Sequence, residues 1–251
     1  PYTDLETFGK EVEAILWERI EQELGQKEQQ EKSWLEEEAE FHDLFIADRT
    51  RRFVGRKKLL QEMRDFCELD TEESVLVVSG ESGCGKSALM SRFSEEILNN
   101  HPDWLIIPHF VGASPSSTNL RQTLRRICGL LGKSIDSFDE IPEDIKGLLD
   151  LFSKSLTNAS KQKKIVIILD AVNQFELLDN ALNMQWLPQK LPENIKIVIS
   201  TLAGAALDSL KGRMNKPLLK NVHGLLASEI KQLVSNYVRE IRHEFPDSHI
   251  A

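Results

Sequence analysis

An apolar run that stops dead at a glycine-rich loop constrains this chain more than any other feature. Ser74-Val75-Leu76-Val77-Val78-Ser79 leads straight into Gly80-Glu81-Ser82-Gly83-Cys84-Gly85-Lys86-Ser87. The second segment fits G-x-x-x-x-G-K-[ST] in full. A continuous β-branched run predicts a strand buried on both faces, hence a parallel sheet covered by helices. The glycines let backbone N–H groups converge on phosphate oxygens, and the helix predicted over 86–99 turns its positive end toward the same oxygens. In this pattern Lys86 reaches the β- and γ-phosphates and the Ser87 hydroxyl ligates magnesium, with Ala88 closing the binding segment. Chance supplies such a match in about one chain per hundred of this length. The expected ligand is ATP or ADP with Mg2+. GTP is disfavoured, because Asn215-Lys216-Pro217-Leu218 lacks the Asp of the guanine-reading N-K-x-D signature.

A second apolar run, Ile165-Val166-Ile167-Ile168-Leu169, ends on Asp170. An acid directly after a buried strand is the pattern that holds the magnesium on the side opposite Ser87. Many ATPases place a further acid three or four residues on; here Asn173 and Gln174 stand there. Neither accepts a proton as a base, although Gln174 can orient a water. Slow hydrolysis is therefore expected, with Lys86, Asp170 and Gln174 as the candidate catalytic set. A nucleotide-stabilised scaffold without turnover stays open beside it. So does a P-loop small-molecule kinase, for which Arg121, Arg125 and Arg126 are the available lid arginines.

The remaining pattern alternates helices with strands. Helices are expected at 56–69, 86–99, 118–131, 143–158 and 228–241, and strands at 74–79, 104–111, 165–169 and 195–200. Such alternation implies a three-layer α/β sandwich with right-handed crossovers and ligands beyond the strands' carboxyl ends. Upstream, Leu5, Phe8, Val12, Ile15, Leu16, Ile20 and Leu24 recur at helical spacing, with Thr3 or Asp4 as cap. Gly25–Ser33 reads as a linker before a second, charged helix from Trp34 to about Ala47. The expected boundaries are an acidic helical segment at 1–47, a nucleotide domain at 48–220 and the start of a small helical domain at 221–251.

Charge follows the same division. Residues 1–40 carry 13 acidic and 4 basic side chains, so this segment accounts for the whole net charge of −9. The nucleotide domain is balanced and lacks the basic stripe a general nucleic-acid surface needs. No apolar stretch approaches the roughly 18 residues of a membrane span. Three scattered cysteines (Cys67, Cys84 and Cys128) favour reduced thiols over a disulfide framework or a zinc site. A cytoplasmic protein is expected.

These residues resemble the NACHT-type STAND NTPases, in particular the branch with nephrocystin and telomerase-associated proteins. The resemblance rests on Phe53-Val54-Gly55-Arg56, the P-loop, Leu169-Asp170-Ala171-Val172-Asn173-Gln174, Trp186-Leu187-Pro188 and Ile199-Ser200-Thr201-Leu202. It implies that Val54 and Arg56 lie near adenine and ribose, and that Ser200 or Thr201 senses the γ-phosphate. Two departures stand out: Leu202 occupies the place of an arginine common in the family, and Gly224-Leu225-Leu226 lacks the proline of the adenine-contacting G-x-P. The resemblance further implies a switch from closed monomer to oligomer driven by ATP. Partners would engage the N-terminal helices or repeats beyond this chain, which is then expected to be a fragment or a short form.

Overall fold

The computed structural model describes residues 5–69, 72–135 and 141–244. The proposed caps Thr3 and Asp4 lie outside them. By packing, the chain divides into residues 1–40 and 41–251. The first unit consists of the greater part of helix α1 (Leu5–Thr50), on which Val12, Ile15, Leu16 and Trp17 are exposed. The expected linker at Gly25–Ser33 is absent, for α1 runs through it unbroken. The reason is propensity: Gln, Glu and Lys are good helix formers, and the single Gly25 costs only about 1 kcal/mol.

The second unit is built on five parallel strands: β1 (Val75–Gly80), β2 (Leu105–Phe110), β3 (Ile165–Asp170), β4 (Ile195–Thr201) and β5 (Leu218–Val222). Their order is β2-β3-β4-β1-β5. β4 thus lies between the strand that feeds the P-loop and the strand that ends on Asp170, with Val78 beside Ser200 and Leu169 beside Ile199. Every residue of β3 and β4 is buried, as a strand covered on both faces requires.

Alternate strand residues feed two cores, the period-2 consequence of strand geometry. Val77, Ile167 and Ile197 face helices α4 (Leu120–Lys133) and α5 (Ile145–Ala159). Leu76, Val78, Ile168 and Val198 face α2 (Lys57–Glu68) and α3 (Lys86–Asn100). Each such aliphatic side chain contributes about 1.5–3 kcal/mol by leaving water. The protein is an α/β three-layer sandwich around a parallel sheet, as its sequence indicates.

Helix starts follow local chemistry. The Asn119 side chain accepts from the Arg121 and Gln122 N–H groups at 3.0 and 3.3 Å and opens α4, two residues later than expected. Asp144 accepts from the Gly147 N–H at 2.9 Å and opens α5. Two elements had no clear signal in the sequence. α6 (Ala205–Lys211) spans only two turns, and β5 is an edge strand with Leu219 and Asn221 exposed. The last helix, α7 (Ala227–Glu244), matches expectation. Among the described residues no helix is long and apolar enough to cross a membrane. Cys67 and Cys128 are buried free thiols, and burial pushes both up to about 12, which leaves them unreactive.

Two histidines are sealed into the unit. His42 and His109 are 0% and 1% exposed, with ring centroids 4.8 Å apart. His42 Nδ1 accepts from the Phe110 N–H at 3.2 Å, and His109 Nε2 lies 3.1 Å from the Ser117 carbonyl. Burial, reinforced by the Arg126 charge, lowers His42 to about 2 and His109 to about 3. Both are neutral in the folded protein, whereas the unfolded chain takes up protons below about 6.5. Stability is therefore complete above that pH and is lost as pH falls toward 3, by up to about 1.4 kcal/mol per pH unit for each imidazole. Thermal melts between pH 7 and 4.5 should show this decline, and His109→Gln should make it shallower, leaving the share due to His42.

Candidate phosphate-binding site

The P-loop caps the carboxyl end of β1 and its last glycine opens α3. Gly85 is the N-cap residue of α3 with φ 89, in the left-handed region that favours glycine. Gly80 is required for space: a Cβ there would lie 2.4 Å from the Val222 carbonyl oxygen on β5. Lys86 is only 9% exposed, and its ammonium donates to the Gly80 and Glu81 carbonyls at 2.9 and 2.7 Å. Its Nζ also lies 3.8 Å from Cys84 Sγ. Ser82, Gly83 and Cys84 form the exposed to half-buried rim of the loop, and Ser87 and Ala88 begin the helix.

Asp170 comes to this loop from two strands away. The residue is 1% exposed, and burial pushes its carboxyl above the usual carboxylate range. Hydrogen bonds from the Ser200 and Ser87 hydroxyls and the nearby Lys86 charge act in the opposite sense. Ser200 also accepts the Ala171 N–H at 2.8 Å, so one hydroxyl joins the ends of β3 and β4. Ala171 pays about 1 kcal/mol for its left-handed φ of 57, strain that tight surroundings can hold at a functional site. Asn173 Oδ1 accepts the Leu202 N–H at 3.0 Å and ties the same two loops a second time. Thr201 is buried, with its hydroxyl donated to the Leu202 carbonyl at 3.1 Å.

Three candidates from the sequence stand apart from this cluster. Gln174 is exposed on the loop after β3, near Gly112 at the end of β2. Val54 is buried in the turn before α2, whereas Arg56 reaches the P-loop backbone and donates to the Cys84 carbonyl at 2.6 Å. The cleft beside the loop, about 770 Å³, is walled by Ser79–Cys84, by Leu202, Ala203 and Leu207, and by Asn221–Gly224. That volume suits a small-molecule ligand. Leu207 and Asn221 had no motif to mark them. Two of the three arginines available for a kinase lid are otherwise engaged: Arg121 grips Asp179 through two bonds of 2.7 and 2.8 Å, and Arg126 donates to the Pro108 carbonyl. Trp186-Leu187-Pro188 is a structural anchor. Trp186 donates to the Ala181 carbonyl at 2.9 Å, and Arg213 binds the Leu187 and Pro188 carbonyls.

A P-loop after the first strand of a parallel sheet, with a buried acid at the end of another strand, defines a P-loop NTPase. The AAA ATPase domain model matches residues 52–199, and the chain belongs to this family of nucleotide-binding proteins. Human nephrocystin-3 is 31% identical over 59% of the chain and 11% of its own length. The mouse NACHT and WD repeat domain-containing protein 2 is 34% identical over 51% of the chain and 8% of its own length. A TPR repeat-containing protein of Dictyostelium discoideum is 20% identical over 93% of the chain. The chain spans 18% of that protein's length, and less still of the other two. Among solved structures, domain III of the Thermotoga maritima replication initiation protein DnaA aligns with a TM-score of 0.47 at 16% identity, over 80% of the chain and 78% of its own. Drosophila ORC bound to DNA aligns at 0.49 and 13%, over 80% and 51%.

Two substitutions probe the site. Gly80→Ala should force β5 away from β1 and abolish nucleotide binding, read by calorimetry. Ser200→Ala leaves Asp170 and the Ala171 N–H each short of a partner, at a cost of about 1–3 kcal/mol in the denaturant midpoint.

Proposed function

We propose that the chain binds Mg-ATP and hydrolyses it slowly, using nucleotide state as a conformational switch of the NACHT-type STAND kind. The observation that carries this reading is the buried cluster of Lys86, Asp170 and Ser200 at the mouth of the P-loop. Backbone amides of Gly83, Gly85 and Lys86 would take the phosphate oxygens, with the start of α3 adding its dipole. Lys86 would exchange its two carbonyl partners for β- and γ-phosphate oxygens. Ser87 and Asp170 offer a hydroxyl and a carboxylate, the hard oxygens Mg2+ prefers. The fit is supported by the burial of Asp170, whose desolvated charge a divalent cation would offset. Bound Mg2+ would draw charge from the phosphate oxygens and so ease phosphoryl transfer.

Slow turnover follows from what surrounds the attacking position. The Asn173 amide oxygen is already used by the Leu202 N–H, and Gln174 is solvent-exposed. Glu176, the first acid beyond Asp170 in sequence, has both oxygens engaged by Thr118 and Asn119, at 2.9 and 3.2 Å. No carboxylate at these positions is available to take a proton from water. Ser200, bonded to Asp170 at the end of β4, is the better-placed reporter of phosphate occupancy than Thr201.

The switch belongs to this proposal through the family alone. Nucleotide moves an equilibrium only as far as its affinities for the two states differ. Self-association on activation, partners at the N-terminal helices or at repeats beyond this chain, a domain boundary near residue 48 and a cytoplasmic setting complete the reading. Titration calorimetry of Mg-ADP and Mg-ATP tests it first. Lys86→Ala should lower affinity at least 100-fold, and equal affinity for both proteins would refute the site. Single-turnover cleavage should be slower than about 0.01 per second, in the range of P-loop proteins that lack a complete catalytic set. Light scattering should show a mass increase with ATP but not with ADP, and one mass in both would remove the oligomer switch.

A further inference from the structure

Behind the P-loop, three segments distant in sequence are laced together by side chains that the phosphate chemistry does not use. Arg56 holds a left-handed φ of 55 at the start of α2 with no side-chain cap. Its Nη2 donates to the Cys84 carbonyl at 2.6 Å and to the His223 carbonyl at 2.7 Å. Its backbone N–H donates to Glu229 Oε1 at 3.2 Å, while Glu229 Oε2 accepts the Leu226 N–H at 2.8 Å and so caps the first turn of α7. Four residues earlier in the same turn, the Arg52 guanidinium lies 4.6 Å over the ring of Tyr237, two helical turns further along α7. Gly55 makes room for this arrangement, since a Cβ there would lie 1.9 Å from Glu229 Oε1.

The turn 52–56 therefore touches α7 at two points and the P-loop at a third. The grip on the Cys84 carbonyl bears directly on the loop's chemistry. In a trans peptide the C=O of Cys84 and the N–H of Gly85 point in opposite directions. Fixing the carbonyl toward Arg56 turns the Gly85 N–H away from it. Arg suits this role because its planar fork holds two carbonyls from one nitrogen side, a geometry an ammonium does not impose. The strained backbone at Arg56 persists because several contacts determine it together.

We propose that the turn 52–56 is a two-point latch through which the seating of α7 sets the geometry of the P-loop, and with it the rate at which bound nucleotide leaves. Arg56 and Glu229 are positioning residues in this scheme, and Arg52 and Tyr237 hold the far end. The second half of the statement rests on the nucleotide reading above; the first half does not. Coupling is reciprocal, so nucleotide in the loop tightens α7 by the factor by which α7 tightens nucleotide.

The test uses the whole chain and the double variant Glu229→Gln, Tyr237→Ala, both at half-buried or exposed positions outside the core. Hydrogen exchange is measured first without nucleotide, on peptides covering 80–87 and 227–239. Both peptides should exchange at least fivefold faster in the double variant, with the peptide covering β3 unchanged. The displacement of a fluorescent ADP should then be about 5- to 100-fold faster, the range typical of coupled sites. Arg56→Lys, which keeps the charge and loses the fork, should reproduce the P-loop effect while leaving 227–239 closer to wild type. Loosening of α7 without any change in 80–87 overturns the latch, as does an α7 that the double variant does not loosen. A wild-type protein that binds no fluorescent ADP sinks the nucleotide reading instead, and the exchange data still decide the latch.

Discussion

A single hydroxyl, that of Ser200, holds the working end of this protein together. It donates to the Asp170 carboxylate and accepts from the Ala171 N–H, so the ends of β3 and β4 share one hydrogen-bonded junction. That junction exists because β4 is inserted between β1 and β3. Without the insertion, Asp170 would stand next to the P-loop strand and would have no hydroxyl from a middle strand beside it. With it, the carboxylate is buried, raised above its ordinary range, and placed near both Ser87 and Lys86. A group desolvated in that way is unfavourable unless charge or hydrogen bonds answer it. Here the Ser200 and Ser87 hydroxyls and the Lys86 charge answer it.

Around this junction the backbone is drawn tight. Ala171 and Arg56 both take left-handed conformations that cost side-chain-bearing residues free energy. Each is held by bonds from another segment: Ser200 for Ala171, Glu229 for Arg56. Asn173 adds a second tie between the loops after β3 and β4. The two residues that stand where many ATPases place a further acid thus differ in kind. Asn173 is structural, whereas Gln174 projects from the loop into solvent, outside the Asp170 cluster.

Arg56 shows what geometry adds to motif reading. The resemblance places the Val54-Gly55-Arg56 segment near the base and ribose. In the structure its guanidinium lies against the P-loop backbone and the segment after β5, while the cleft beside the loop is walled by Leu202, Leu207 and Asn221–Gly224. A short motif marks that a residue matters but says nothing of which partner it meets. That partner comes from residues 167 and 173 positions away, on elements without signals of their own.

The strands that end at the site, the P-loop, and the carboxylate Asp170 were legible in the sequence, because continuous apolar runs and a Gly-Lys-Ser loop report on backbone requirements that are local. The continuity of α1 through Gly25–Ser33 is not legible there, because a polar run reads as irregular where helix propensity governs. α6, β5 and the cleft they help to wall were invisible, since a two-turn helix and a half-exposed edge strand carry little periodicity. Only the tertiary structure decided that β4 separates β1 from β3, that Ser200 rather than Thr201 meets Asp170, and that Arg56 joins α7 to the P-loop. Those outcomes depend on strand order and on contacts across more than a hundred residues, which a one-dimensional pattern does not contain.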